Sequence, residues 1–164
     1  MDAKAYIDDL HDRYSLFYDT NRNANILNKT VDIFARYKDI QGRTLLTSKD
    51  IIDSFEINEI CFVKHFEKID INSLIDFTDF LKKAAEKYAE PKRGHMCTYI
   101  TGVIITQCDI DVELKSIIKK FKYSKSYFFT LHGWCEIRFL FINPAKENII
   151  ANKPGKKVMK FYKF

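Results

Sequence analysis

The sequence predicts an α+β protein: one mixed, largely antiparallel sheet with about three helices. Three observations predict it. Segments with a two-residue apolar period lie between segments with a 3.6-residue period. The early connections are short, which favours antiparallel neighbours. Gly (5) and Pro (3) are scarce among 164 residues, which argues against a loop-rich repeat or two linker-joined units. The length suits a single domain over residues 1–164, since a chain of this size buries a sizeable core without staples.

The elements follow in order. Residues 4–18 read as an amphipathic helix with Ile7, Leu10, Tyr14 and Phe17 on one stripe. "DTNRNAN" breaks it with turn-forming residues. In "TVDIFARYKDI", Val31, Ile33, Ala35 and Tyr37 alternate with polar or opposite-facing positions, as in a half-buried strand. "QGR" is a turn. "TLLT", "DIIDSFEI" and "EICFVKHF" follow as strand candidates with a bend near Asn58, in an antiparallel meander. "DINSLIDFTDFLKKAAEKYAEP" is a helix with Asn72 or Ser73 as cap, Pro91 as stop, and a buried stripe of Leu74, Phe77, Leu81, Ala84, Ala85 and Tyr88.

"MCTYITGVIIT" is β-branched and reads as an interior strand. "DIDVELKSIIKKFKY" is a helix with Asp109 or Asp111 near its start and Lys119, Lys120 and Lys122 near its end, both suited to the macrodipole. Next, Tyr127, Phe129 and Leu131 alternate before His132-Gly133, and Cys135, Ile137, Phe139 and Phe141 alternate after it. That pattern predicts two strands joined at His132-Gly133, the second of them central. "IIAN" is a short strand. "VMKFYKF" reads as a last edge strand, which could pair in a homodimer.

Composition bounds the function. "MDAKAYIDDLHDRY" has no apolar segment of the kind a signal peptide carries. No apolar run approaches the 20 or so residues a membrane span needs, so no membrane partner is expected. Cys61, Cys97, Cys108 and Cys135 show no CxxC spacing, which fits reduced thiols and a cytoplasmic location. Charge is uneven. Residues 1–108 hold 15 Lys/Arg and 17 Asp/Glu, a balance of −2; residues 109–164 hold 12 and 5, a balance of +7. A one-sided basic region points to an anionic partner, a nucleic acid or an acidic protein. Against that, lysine is a common solvated surface residue, and charge alone specifies a partner weakly.

Chemical motifs are sparse. The isolated glycines form no phosphate-binding loop, and there is no nucleophile elbow. Three His/Cys pairs occur (Cys61/His65, His95/Cys97, His132/Cys135), but their spacing matches no zinc finger or ribbon, so Zn²⁺ has little support. "DIIDSFEINE" clusters Asp50, Asp53, Glu56 and Glu59, hard oxygen ligands of the type that hold Mg²⁺. The order of elements resembles the restriction-endonuclease-like core, which carries an Asp on its second strand and Glu-x-Lys on its third. That resemblance implies a nuclease using Asp53 and Glu59. The motif is broken, because Cys61 stands where the Lys belongs and Lys64 faces away from Glu59. No intact catalytic motif remains, and no metal or cofactor is expected.

"HGWCEIR" offers a different chemistry. His132, Trp134, Glu136 and Arg138, with His95 as a further candidate, could line a small polar pocket; the plain alternative is a hairpin whose Trp fills the core. Together with Lys119, Lys120 and Lys122 these are the candidate binding residues.

"GHMCTYITGVIIT", "KKFKYSKSYFFTLHGWCEIRFLFI", "ANKPGKK" and "FEINEICFV" together resemble a family of uncharacterised proteins of about this length from clostridia and related Firmicutes. The shared pattern is a His-Met pair before a strand, Lys-Ser before an aromatic run, a Gly-Trp turn, an Arg in the next strand, a Glu-x-Asn-Glu segment, and an Asn-basic-x-Gly tail. The resemblance implies that His95, His132, Trp134, Arg138, Glu56 and Glu59 fall on recurring positions, and that Cys61, Cys97 and Cys135 do not. It implies no activity and no catalytic residue.

Overall fold

The computed structural model describes residues 1–44 and 51–164; for residues 41–55 the side chains also lie outside the description. Helix α1 (Ala3–Ser15) precedes strands β1 (Asp19–Ile26), β2 (Lys29–Thr44) and β3 (Ile51–His65). Helix α2 (Ile71–Tyr88), β4 (His95–Ile105), α3 (Val112–Lys120), β5 (Ser124–Ser126), β6 (Trp134–Asn143) and β7 (Asn148–Ala151) follow. The strands form one mixed sheet in the order β1-β2-β3-β4-β6-β5, with β7 also pairing β6. The β3/β4 and β4/β6 pairs are parallel, and the others are antiparallel. The expected fold class is the observed one.

Two apolar layers sandwich the sheet. Because side chains alternate across a strand, Ile60 and Phe62 of β3 face α2 and α3, while Cys61 and Val63 face α1. On the first face, Leu74, Phe77, Leu81, Ala84 and Ala85 of α2 meet Ile100, Ile104 and Phe139. On the second, Tyr6, Leu10 and Tyr14 of α1 meet Val103 and Leu140. Residues 155–162 close this face in 3-10 turns. Tyr6 Oη donates to the Tyr162 carbonyl (2.6 Å), and the Tyr14 and Tyr162 hydroxyls share a 2.5 Å hydrogen bond.

Several local expectations need correction. Residues 19–26 form a strand, not only a turn: β1 pairs in register with β2 through Leu27 and Asn28, both left-handed at φ +51° and +62°. That is the backbone a two-residue hairpin turn requires. Residues 51–65 run as one strand without a break at Asn58, and "TLLT" lies largely outside the described residues. Asp70 caps α2, accepting from Ser73 N (2.7 Å), in place of Asn72 or Ser73. The buried stripe of α1 is Ala3, Tyr6, Leu10 and Tyr14; Phe17 lies past the helix and is exposed.

The aromatic hairpin around Gly133 is mostly absent. Only Ser124–Ser126 pairs with β6, and residues 127–133 form a tight turn. The alternation of Tyr127, Phe129 and Leu131 misled because their spacing is strand-like while Phe129 and Leu131 face solvent. "VMKFYKF" is likewise no strand. It turns back so that Tyr162 can bury against α1, which removes the basis for an edge-strand homodimer.

Along one flank of β6, strands β5 and β7 lie end to end, and Asn152 fills the joint between them. Its main-chain N–H donates to the Phe139 carbonyl (3.1 Å). Its Oδ1 accepts from Phe139 N (2.9 Å) and Gly155 N (2.8 Å), and its Nδ2 donates to the Ile137 (3.0 Å) and Phe121 (3.2 Å) carbonyls. A buried asparagine here satisfies ladder groups that would otherwise be stranded. A Cβ on Gly155 would sit 2.8 Å from both Asn152 Oδ1 and the Phe139 carbonyl, so only glycine fits. This pins residues 152–157 beside the end of α3.

Candidate functional site: two closed polar cells and one open lysine cleft

The N-terminal ends of the parallel strands carry two polar cells, one on each face. On the α2 face, Glu56 receives Lys38 Nζ and Lys92 Nζ (each 3.0 Å from Oε2) and Asn58 Nδ2 (3.0 Å from Oε1). His95 sits beside it, with Nδ1 3.9 Å from Glu56 Oε1 and Nε2 3.1 Å from Thr98 Oγ1. Burial alone would raise the Glu56 carboxyl; the hydrogen bonds from Lys92, Lys38 and Asn58 override it and bring it down to about 2. The His95 imidazole is held below its ordinary value by burial, despite the Glu56 charge. It is therefore neutral at pH 7. Gly133 (φ +85°) packs directly on it: a Cβ there would come 2.5 Å from His95 Cδ2.

On the α1 face, Glu59 accepts from Tyr18 Oη (2.6 Å) and from Arg138 NH1 (3.2 Å). The Arg138 guanidinium lies 3.5 Å from the Tyr99 ring centroid, and Trp134 meets Tyr99 edge-on at 5.3 Å. The sequence singles out Glu59 on the one hand and Trp134 and Arg138 on the other, without joining them, and does not single out Tyr18 or Tyr99. Glu59 and Arg138 are 79 residues apart, and the β3-β4-β6 order brings them together. Each cell consumes its own charge. Both Glu59 oxygens hold donors, and among the described residues no group of three His, Cys, Asp or Glu side chains converges as a metal site would require. The Asp50 and Asp53 side chains lie outside the described residues. The cysteines are free, and burial pushes the Cys61 and Cys135 thiols up to about 12, far from nucleophilic.

The candidate pocket residues are thus divided. His95 joins Glu56, while Trp134 and Arg138 join Tyr99 and Glu59. His132 stacks on Phe128 in the 127–133 turn. Glu136 shares a face of β6 with Trp134 and Arg138 and lines the lysine cleft. A cleft of about 410 Å³ lies beside the Glu56 cell; its acids Asp19 and Glu90 balance Arg36 and Lys38.

The third constellation is different. Lys119, Lys120 and Lys122, at and just past the end of α3, meet Lys153 and Lys157 across a cleft of about 390 Å³. Phe121, Tyr123, Ser124 and Pro154 complete its wall, and Glu136 is the acid in it. Lys157 Nζ stands 4.0 Å from Glu136 Oε2. Among the described residues, Lys119, Lys120, Lys122 and Lys153 make no ion pair. Lys119, Lys120 and Lys122 were legible as candidates. Their partners Lys153 and Lys157 come into place through the Asn152 joint, which depends on tertiary pairing.

The fold and these sites define a mixed-sheet α+β protein whose strand-end acids are internally paired and whose lysine cleft is not. No helix among the described residues is long and apolar enough to cross a membrane. The chain belongs to the family described as Domain of unknown function (DUF8052), which matches residues 2–164. No curated protein matches it.

Proposed function

We propose that this chain is a cytoplasmic binding module for nucleic acid, and that the lysine cleft seats the phosphate backbone. The observation that carries the reading is the meeting of two lysine runs, 119–122 and 153–157, around one concavity with a single facing acid. Unpaired lysines brought close repel one another, and a polyanion relieves that repulsion by displacing its own counterions. The C-terminal end of α3, with its partial negative charge, helps hold the lysines there without neutralising them. A nuclease using Asp53 and Glu59 draws no support from this geometry, since Glu59 is spent on Tyr18 and Arg138.

The test is a titration of a labelled oligonucleotide by fluorescence anisotropy at several salt concentrations. Affinity should fall linearly on a log–log plot, with a slope of about −0.7 to −0.9 per phosphate contacted. Replacing Lys119, Lys120 and Lys122 with Gln should flatten that slope. Absence of binding at low salt, or affinity indifferent to salt, would overturn the reading. Binding to poly-glutamate but to no oligonucleotide would replace nucleic acid with an acidic protein.

A further inference from the structure

The turn that replaced the expected hairpin points beyond phosphate binding. Residues Phe128, Phe129 and Thr130 are all left-handed, with φ of +50°, +52° and +69°. For residues with a Cβ, each such conformation costs about 1–2 kcal/mol. Burial does not offset it, because Phe128 is 67%, Phe129 92% and Leu131 67% exposed. The turn is nonetheless tied down. Tyr127 N donates to the Gly133 carbonyl (2.9 Å), His132 N to Tyr127 (3.2 Å), Leu131 N to Phe128 (3.0 Å) and Gly133 N to Thr130 (3.1 Å). Gly133 is wedged against His95 beneath. Strain held in place by its surroundings, with aromatic rings turned outward, is a mark of a contact surface.

The position of the turn says what it contacts. β5 leads out of the lysine cleft, whose wall includes Ser124, and reaches the turn at Tyr127. Phe128 is four residue steps beyond Ser124, about 14 Å at full extension. Along this path lysines and aromatics interleave: Lys122, Tyr123, Lys125, Tyr127, Phe128. Lys125 Nζ lies 5.7 Å from the Tyr127 ring centroid. At the end, the Phe128 and His132 rings stack at 5.1 Å with 21° between their planes, and Phe129 stands free beside them. Lysines that follow a backbone towards exposed, preset rings are the means by which proteins hold unpaired bases. Duplex bases are already stacked on each other and cannot reach such rings.

We propose that residues 127–133 form a base-stacking platform, so that the ligand of the lysine cleft is a single strand and not a duplex. This rests on the nucleic-acid reading above. An anionic lipid surface would also attract lysines beside exposed aromatics. It fits less well, because a bilayer is flat and these lysines line a concavity.

The experiment compares a labelled oligothymidylate single strand with a blunt duplex of equal length, using the full chain and two variants. The expected result is tighter binding of the single strand. F128A/F129A should weaken the single strand about ten- to hundredfold, the range for losing base–aromatic stacking. It should leave duplex affinity and the salt slope unchanged, whereas K119Q/K120Q/K122Q should lower both affinities and flatten the slope. Because both rings are exposed, F128A/F129A should melt with the wild type, and a circular-dichroism melt checks this. Equal binding of strand and duplex with no effect of F128A/F129A would overturn the platform and leave the lysine cleft standing. No oligonucleotide binding at all would remove the nucleic-acid reading itself. Loss of sedimentation with phosphatidylserine vesicles in F128A/F129A, with oligonucleotide binding intact, would overturn the platform in favour of lipid.

Discussion

The paired cells at the strand ends and the lysine cleft use similar residues in opposite ways. Around Glu56 and Glu59, each carboxylate oxygen holds a donor within 3.2 Å, while His95 Nδ1 and Arg138 Nε stay buried without a hydrogen-bond partner among the described residues. Their charge is consumed in holding β2, β3, β4 and β6 together. In the cleft, five lysines face one carboxylate, and the nearest approach is 4.0 Å. A charge group that is already satisfied contributes to the fold; one left unsatisfied on the surface is available to a partner. The difference implies that mutations in the two regions should separate cleanly into effects on stability and effects on binding.

The sharpest break is at Arg138. R138M leaves the part-buried Glu59 with only the Tyr18 hydroxyl, and removing one partner of a buried pair costs about 3 kcal/mol. Urea denaturation should show this loss, and the double variant R138M/E59Q should recover much of it. A full-strength stability in R138M would mean that the cell is not what binds these strands.

Acid should unlock the other cell in two stages. The His95 pKa is lower in the fold than its ordinary 6.5, so the unfolded chain binds the proton more readily. Its contribution is complete above 6.5 and drains away as pH falls through the folded value. Glu56 is depressed from 4.5 to about 2, so its contribution is present above 4.5 and is lost between there and 2. Unfolding free energy measured against pH should decline gently below 6.5 and further below 4.5, and E56Q should shrink the second decline, leaving the part that comes from Asp70 and Asp109, whose carboxyls are also held below their ordinary value. The smallest expected effect is in the cleft. K119Q/K120Q/K122Q should leave the urea midpoint unchanged, because among the described residues these side chains make no ion pair that could be lost. A large shift there would dissolve the distinction between the regions.

The long amphipathic helix α2, the interior strand β4 and the start of α3 at Asp111 were legible in the sequence, because their apolar period and capping residues agree with their tertiary roles. β1 was not. Most of its residues are polar and none is buried, so no alternation marks it, and it exists through pairing with β2. Residues 127–131 and 158–164 failed for the reverse reason. Their aromatic alternation mimics a strand, while one run is strained outward and the other folds back on α1. Of the candidate site, the lysine run at 119–122 could be read directly. That Lys153 and Lys157 oppose it could not, because their placement is decided by the hydrogen bonds of one asparagine.

That asparagine has a further consequence. The bare flank of a sheet is a template: a second chain can dock there and extend the ladder, which is how ordered proteins seed fibrils. Between β5 and β7 the Asn152 amide already holds the Phe139 N–H and the Ile137 carbonyl. An incoming strand meets no free donors or acceptors at that gap, so a single side chain seals the seam at which two short strands would otherwise leave the molecule open to growth.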